Sequence, residues 1–217
     1  KKDSQIRREL EQKHKLNRQS VFEIRNLFVN CVDGNVEVQI IAHDNLDIAL
    51  IKFKNFTKLY CSDFPLFPTD ATPLKQGKFL CRLGFPFPEF TNFQYNVATD
   101  TIEWTKTGKE QTPIFPLEGM LTRHLADQNG QIVGFEMSTP GLRGQSGGPV
   151  FDITGMVWGM QSATNHLDLN FDVNSDVVRD GQRSSVHSSA FLHVGHCIHV
   201  DMLKSFMRQH QVSFQEE

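Results

Sequence analysis

The chain predicts an all-β fold, and three observations carry that prediction. Val36-Glu37-Val38-Gln39-Ile40 alternates apolar and polar residues, the period of a strand with one buried face. Asp33-Gly34-Asn35 just ahead of it, and Asp127-Gln128-Asn129-Gly130 further on, hold the Asp-Gly and Asn-Gly pairs that favour hairpin turns. With a strand beginning at Val21 and running to Val29, and another from Ile48 to Phe53, three antiparallel strands stand in a row near the N-terminus.

The chain has 217 residues, which suits one domain or two small barrels sharing a core. It is 39% hydrophobic and 22% charged, an ordinary globular composition. A net charge of −3 gives no electrostatic case for binding nucleic acid or an anionic membrane. No apolar run approaches the ~20 residues of a membrane span, and no signal-peptide pattern is visible. Cys31, Cys61, Cys81 and Cys197 form no C-x-x-C pair, so neither a zinc site nor another cofactor is expected. They read as mostly buried thiols in a reducing compartment such as the cytoplasm, with a single Cys61–Cys81 or Cys31–Cys197 bridge as the alternative.

In chain order, Lys1 to Arg18 is a highly charged segment with a thin apolar stripe (Ile6, Leu10, Leu16). It reads as a solvated helix or a mobile loop. The three strands follow. Lys54 to Pro73, with Pro65, Pro68 and Pro73, reads as a linker, which divides the chain into 1–70 and 71–217. Leu74 to Leu83 opens the second part, and a turn at Gly84-Phe85-Pro86-Phe87-Pro88 leads into an aromatic run through Phe90, Phe93 and Tyr95. That run suits an aromatic core better than an apolar substrate groove. Thr99 to Thr107 reads as a strand, and Gly108 to Pro116 as a loop. Met120 to Leu125 and Gln131 to Met137 read as a hairpin about Asn129-Gly130. Val150 to Ile153 and Met156 to Met160 are strands around Thr154-Gly155. Thr164 to Ser189, long and polar, reads as a loop at a pocket rim. His166, His187, His193, His196 and His199 are scattered there without a tight carboxylate pairing, so they read as independent imidazoles rather than metal ligands. Val200 to Gln211 reads as a terminal helix, with Leu203, Phe206 and Met207 at helical spacing and Asp201 near its start.

The chemically suggestive stretch is Gly144-Gln145-Ser146-Gly147-Gly148-Pro149. Small residues on both sides let the serine stand clear of the backbone, and N–H groups left free in such a turn can converge on an oxyanion. An ordinary surface turn is the simpler alternative. The segment resembles the nucleophile turn of chymotrypsin-fold serine proteases. Asp44-Asn45-Leu46-Asp47-Ile48-Ala49-Leu50-Ile51-Lys52 resembles that family's aspartate strand, Leu74 to Pro88 the opening of its second barrel, and Gly155 to Ser162 the strand beside its specificity pocket. The third match is closest to the disulfide-free bacterial and organellar branch, the high-temperature-requirement type. Where secreted relatives place a cysteine four residues before the nucleophile, this chain has Leu142.

The resemblance implies a double six-stranded antiparallel β-barrel with a C-terminal helix, the first barrel represented by its last three strands. It implies Ser146 as nucleophile, Asp47 as the carboxylate that orients an imidazole, and the N–H groups of Gly144 and Ser146 as the oxyanion hole. It puts Pro140 at the base of the first specificity pocket, implying a neutral or apolar preference, with Arg143 as a solvated neighbour. Met160, Gln161 and Ser162 would line the edge on which substrate backbone pairs as an added strand. The family order is His, Asp, Ser. His14 and His43 lack the strand-end setting of that histidine, so the expectation is an imidazole encoded upstream of Lys1. The partner would be a protein or peptide substrate, alongside other domains or subunits of the same protein. The competing reading is a pseudoprotease, a protease-shaped binding or regulatory module.

Overall fold

A computed structural model describes residues 28, 31–32, 36–86, 93–99, 101–106 and 114–217. The strands expected over 21–29 and the turn at 33–35 lie almost wholly outside them, as do the charged segment 1–18, Phe90 and most of the 108–116 loop. The described chain is mostly β, as the sequence predicts. Strands β1 (Glu37–Ala42) and β2 (Ala49–Lys54) form an antiparallel pair, with Ile40 opposite Ile51 and Ala42 opposite Ala49. The short β3 (Leu66–Phe67) follows in the linker. Then come β4 (Phe79–Arg82), β5 (Phe93–Asn96), β6 (Thr101–Trp104), β7 (Leu117–Ala126), β8 (Ile132–Met137), β9 (Pro149–Phe151), β10 (Val157–Arg179) and β11 (Gln182–His199). Helix α1 (Val200–Gln209) and the two-residue β12 (Gln215–Glu216) complete the chain.

Six strands close a barrel in the order β10-β11-β8-β7-β4-β9. Its interior is filled by Leu74, Leu80, Leu121, Phe135, Met137, Val150, Trp158 and Cys197, each at most 5% exposed. The inward residues follow the period-2 rule: Phe79-Leu80-Cys81-Arg82 turns Leu80 and Arg82 inward. The hairpin between β7 and β8 forms at the expected place. Asp127 Oδ1 accepts the N–H groups of Asn129 and Gln131, and Gly130 takes the left-handed φ of 82°.

A second cluster, of Ile48, Ile198 and Phe206 with Ile41, Leu46, Leu50, Met160, Met202 and Leu203 against it, glues the β1–β2 pair and α1 to the outside of the barrel. The helix starts on His199, whose Nδ1 accepts the N–H of Asp201 at 3.2 Å. Among the described residues, no helix is long and apolar enough to cross a membrane.

Two expectations need correction. Residues 164–189 are not a loop. They belong to a long antiparallel ribbon in which β10 and β11 pair from Gly159↔His199 out to Arg179↔Gln182. The ribbon tip is Asp180-Gly181, with φ of 52° and 76°, the doubly left-handed two-residue turn that matches strand twist. A strand period is present in the sequence, with Leu167, Leu169, Phe171 and Val173 alternating with Asp168, Asn170, Asp172 and Asn174, but the polar composition of the stretch masks it; the Asp-Gly pair marks the tip. The cysteines are all free thiols, and only Cys197 is buried, where burial pushes its thiol up to about 12.

Candidate active site

The turn that carries Ser146 is built by its own glycines and by Gln145. Gly144 has φ 98° and Gly147 has φ 84°. A Cβ on Gly144 would stand 2.4 Å from the Phe85 carbonyl oxygen, so both backbone shape and space require glycine. Gln145 is fully buried; its Oε1 accepts the Leu142 N–H at 2.9 Å, and its Nε2 donates to the Phe115 carbonyl at 3.2 Å. Its own N–H donates to the Leu142 carbonyl at 3.0 Å. The N–H groups on either side, those of Gly144 and Ser146, have no acceptor among the described residues. The turn therefore ties down its middle N–H and leaves the two flanking donors available to a ligand oxygen.

Asp47 comes from a different part of the chain. His43 Nδ1 accepts the N–H groups of Asn45 and Leu46, both at 3.1 Å, which folds the turn before β2. The buried Ile48 anchors that turn against Ile198 and Phe206 and leaves its neighbour Asp47 outward. Asp47 Oδ2 accepts the Ser162 hydroxyl at 2.9 Å. Ser162 sits at a bulge in β10, between Gln161↔Cys197 and Ala163↔His196. Its carbonyl in turn accepts the Ser146 hydroxyl at 2.9 Å. One residue thus touches both Ser146 and Asp47, which are 99 positions apart in sequence.

Next to Ser146 lies a pocket of about 430 Å³. Pro140, Gln161 and Ser162 line it, and so do Arg143, His166 and His193. Met160 lies elsewhere: its side chain packs in the cluster with Ile48 and Phe206. Past Met160, β9 no longer pairs with β10, although the Gly147 N–H still reaches the Gln161 carbonyl at 2.8 Å.

The sequence did not single out three features of this site. The Ser162 hydroxyl bridge and the clamp made by Gln145 have no signal in the pattern. Arg82 has one: strand alternation puts it on the same face as Leu80, where a charge is unexpected. It is completely buried beneath the pocket, with Nη1 donating to Gln161 Oε1 and Nη2 to the carbonyl and hydroxyl of Thr139 at 2.5 and 2.6 Å. Burial holds its guanidinium below the usual range. Of the two candidate histidines, the described one, His43, is not bonded to Ser146. His43 spends its Nδ1 on its own turn and sets its ring edge-on to Phe206, and His14 lies outside the described residues. Among the described residues, no three His, Cys, Asp or Glu side chains come together as a metal site.

A family model described as a trypsin-like peptidase domain matches residues 17–160, more than half of the chain and a span that holds both Asp47 and Ser146. No curated protein matches the chain.

Proposed function

Because the chain belongs to the trypsin-like peptidase domain family, we propose that it is a serine endopeptidase with Ser146 as nucleophile and Asp47 as the triad carboxylate. The observation that carries this reading is the Ser162 bridge, which holds Ser146 Oγ and Asp47 Oδ2 on two atoms of one residue. A family member needs its imidazole between those two groups. Family order puts that histidine N-terminal to Asp47, and we place it upstream of Lys1.

In this scheme the imidazole takes the Ser146 proton as Oγ attacks the peptide carbonyl. The N–H groups of Gly144 and Ser146 receive the negative oxygen, a contribution of ~3–4 kcal/mol in related sites. Asp47 orients the ring and stabilises its charged form. The imidazolium then protonates the departing amine, and water repeats the sequence in reverse to release the acid. Past Gln161, whose N–H and carbonyl bond Gly148 and Gly147, β9 gives β10 no further partner, and an extended peptide would pair along that edge. Four free thiols favour the disulfide-free, high-temperature-requirement branch and a reducing compartment. The linker supports a division into a first-barrel part, 1–70, and a second-barrel part, 71–217.

One observation favours the pseudoprotease reading: no imidazole among the described residues bonds Ser146 or Asp47. Labelling of the full-length protein with a fluorophosphonate, followed by peptide mapping, separates the two. The enzyme is modified at Ser146, and Ser146→Ala abolishes both the modification and a peptidase activity, by about a millionfold. A folded full-length protein that resists the probe is the binding module.

A further inference from the structure

The pocket beside Ser146 has an unusual charge balance. Its lining contains Arg143, His166 and His193 and no carboxylate. His166 and His193 are register partners on β10 and β11, and their Nδ1 atoms approach to 2.5 Å with the rings nearly perpendicular. Such a contact needs one proton between the two nitrogens. It leaves both Nε2 atoms without a partner among the described residues.

Behind the pocket wall lies a stronger asymmetry. Arg82 is fully buried and meets only neutral groups, the Gln161 amide and Thr139. Its Nε has no hydrogen-bond partner among the described residues. The protein makes room for it deliberately: a Cβ on Gly195 would stand 2.1 Å from Arg82 Nη1. Gly195 pairs across the ribbon with Thr164, and Gln161 lies against Gly141, where a Cβ would meet its Nε2 at 2.1 Å; Thr164, Gln161 and Gly141 all line the pocket. A buried cation without a counter-ion is costly. Among the described residues no carboxylate bonds Arg82: Asp47 accepts the Ser162 hydroxyl, and Glu136 is bound by Arg123 and Asn165.

We propose that this pocket takes an acidic side chain, glutamate or aspartate, as the substrate residue preceding the cleaved bond. This rests on the endopeptidase reading above and replaces the neutral or apolar preference that Pro140 alone suggests. A carboxylate entering beside Ser146 takes hydrogen bonds from the imidazole pair and from Arg143 at the rim. It also supplies, across the Gln161 amide, the negative charge that Arg82 lacks in a low-dielectric setting. A lysine or arginine side chain would meet three like-charged or chargeable groups. A leucine would leave them all desolvated and unpaired.

The test uses the full-length protein and a series of peptidyl aryl phosphonates that differ only in the side chain placed in this pocket: glutamate, glutamine, leucine or lysine. Modification is mapped to Ser146 and its second-order rate measured. The glutamate probe should react at least about tenfold faster than its isosteric glutamine partner. The ratio should narrow in Arg82→Met, and also in the Arg143→Gln and His193→Gln variants, whose substituted side chains are exposed and spare the core. Equal or faster reaction of the glutamine, leucine or lysine probe at Ser146 overturns the acidic preference and leaves the peptidase standing. An undiminished glutamate preference in all three variants overturns the assignment to these residues. Reaction with no probe at all removes the peptidase reading, and the preference with it.

Discussion

Asp152 shows how one side chain can hold a turn together and make it sensitive to acid. Its Oδ1 accepts the N–H and hydroxyl of Thr154, and its Oδ2 accepts the Trp158 indole N–H at 2.7 Å and pairs with Lys78 at 2.9 Å. Burial opposes its ionisation, but the hydrogen bonds from Thr154, Lys78 and Trp158 outweigh it and hold the carboxyl well below the usual carboxylate range. A depressed acid stabilises the fold fully above the unfolded-chain value of about 3.9 and loses that contribution as pH falls toward the folded value. Asp152→Asn should therefore cost about 1–3 kcal/mol at neutral pH. The gap to wild type should close as both are titrated into acid. Urea unfolding at a series of pH values reads this directly, and a gap that stays constant into acid would show that the charge is not what matters. Residue-scale chemistry of this kind was half legible in sequence. Gly144, Ser146 and Asp47 announce themselves by type and spacing. The hydroxyl of Ser162 and the amide of Gln145 do not, because nothing in a one-dimensional pattern says which polar atom will find which partner 16 or 30 residues away.

At the scale of elements, the alternating strands and the terminal helix were readable because one face of each is buried against a continuous core. The β10–β11 ribbon was legible only in part: Leu167, Leu169, Phe171 and Val173 alternate with polar residues, but the Ser-rich return strand, most of whose side chains are exposed, carries no such period. The helix begins where that ribbon ends, and its cap has a pH dependence of its own. Burial holds the His199 imidazole below its usual range, with Asp201 opposing the shift and His124 and Lys204 adding to it. The folded chain thus keeps His199 neutral, with Nδ1 free to accept the Asp201 N–H. The unfolded chain takes up a proton below about pH 6.5. Stability contributed by the neutral ring is complete above that pH and declines below it. The melting temperature should fall between about pH 7.5 and pH 5.5. His199→Asn keeps a capping oxygen, so it should melt lower at the higher pH yet lose fewer degrees across the interval. Equal losses in both proteins would assign the pH sensitivity to another group.

Across the whole molecule, the site depends on two parts being held in one alignment. Asp47 belongs to the β1–β2 pair and Ser146 to the closed barrel, and Ile48, Ile198 and Phe206 join them through the terminal helix. The sequence supplies the reason for a linker between 54 and 73 but not the clasp that fixes it. That clasp is Lys204, buried to 3% exposure, whose Nζ donates to the Pro68 carbonyl at 2.6 Å and lies 3.1 Å from Glu216. Around it β12 pairs with β3 in parallel, and the Thr69 N–H donates to the Glu217 carbonyl at 3.0 Å. Helix, linker and C-terminal tail therefore share one buried cation, with Arg208 holding the outer side of Glu216 at 2.8 Å. Lys204→Met removes the donor from the carbonyls of Pro68 and Thr69 and leaves Glu216 to Arg208 alone. The cost should be about 1–3 kcal/mol. It should appear first as faster amide exchange at 66–69 and 215–217 and as protease cleavage within the linker, while the barrel core keeps its protection. Uniform loss of protection across core and tail would mean that the clasp is not a separate unit and that the two parts unfold only together.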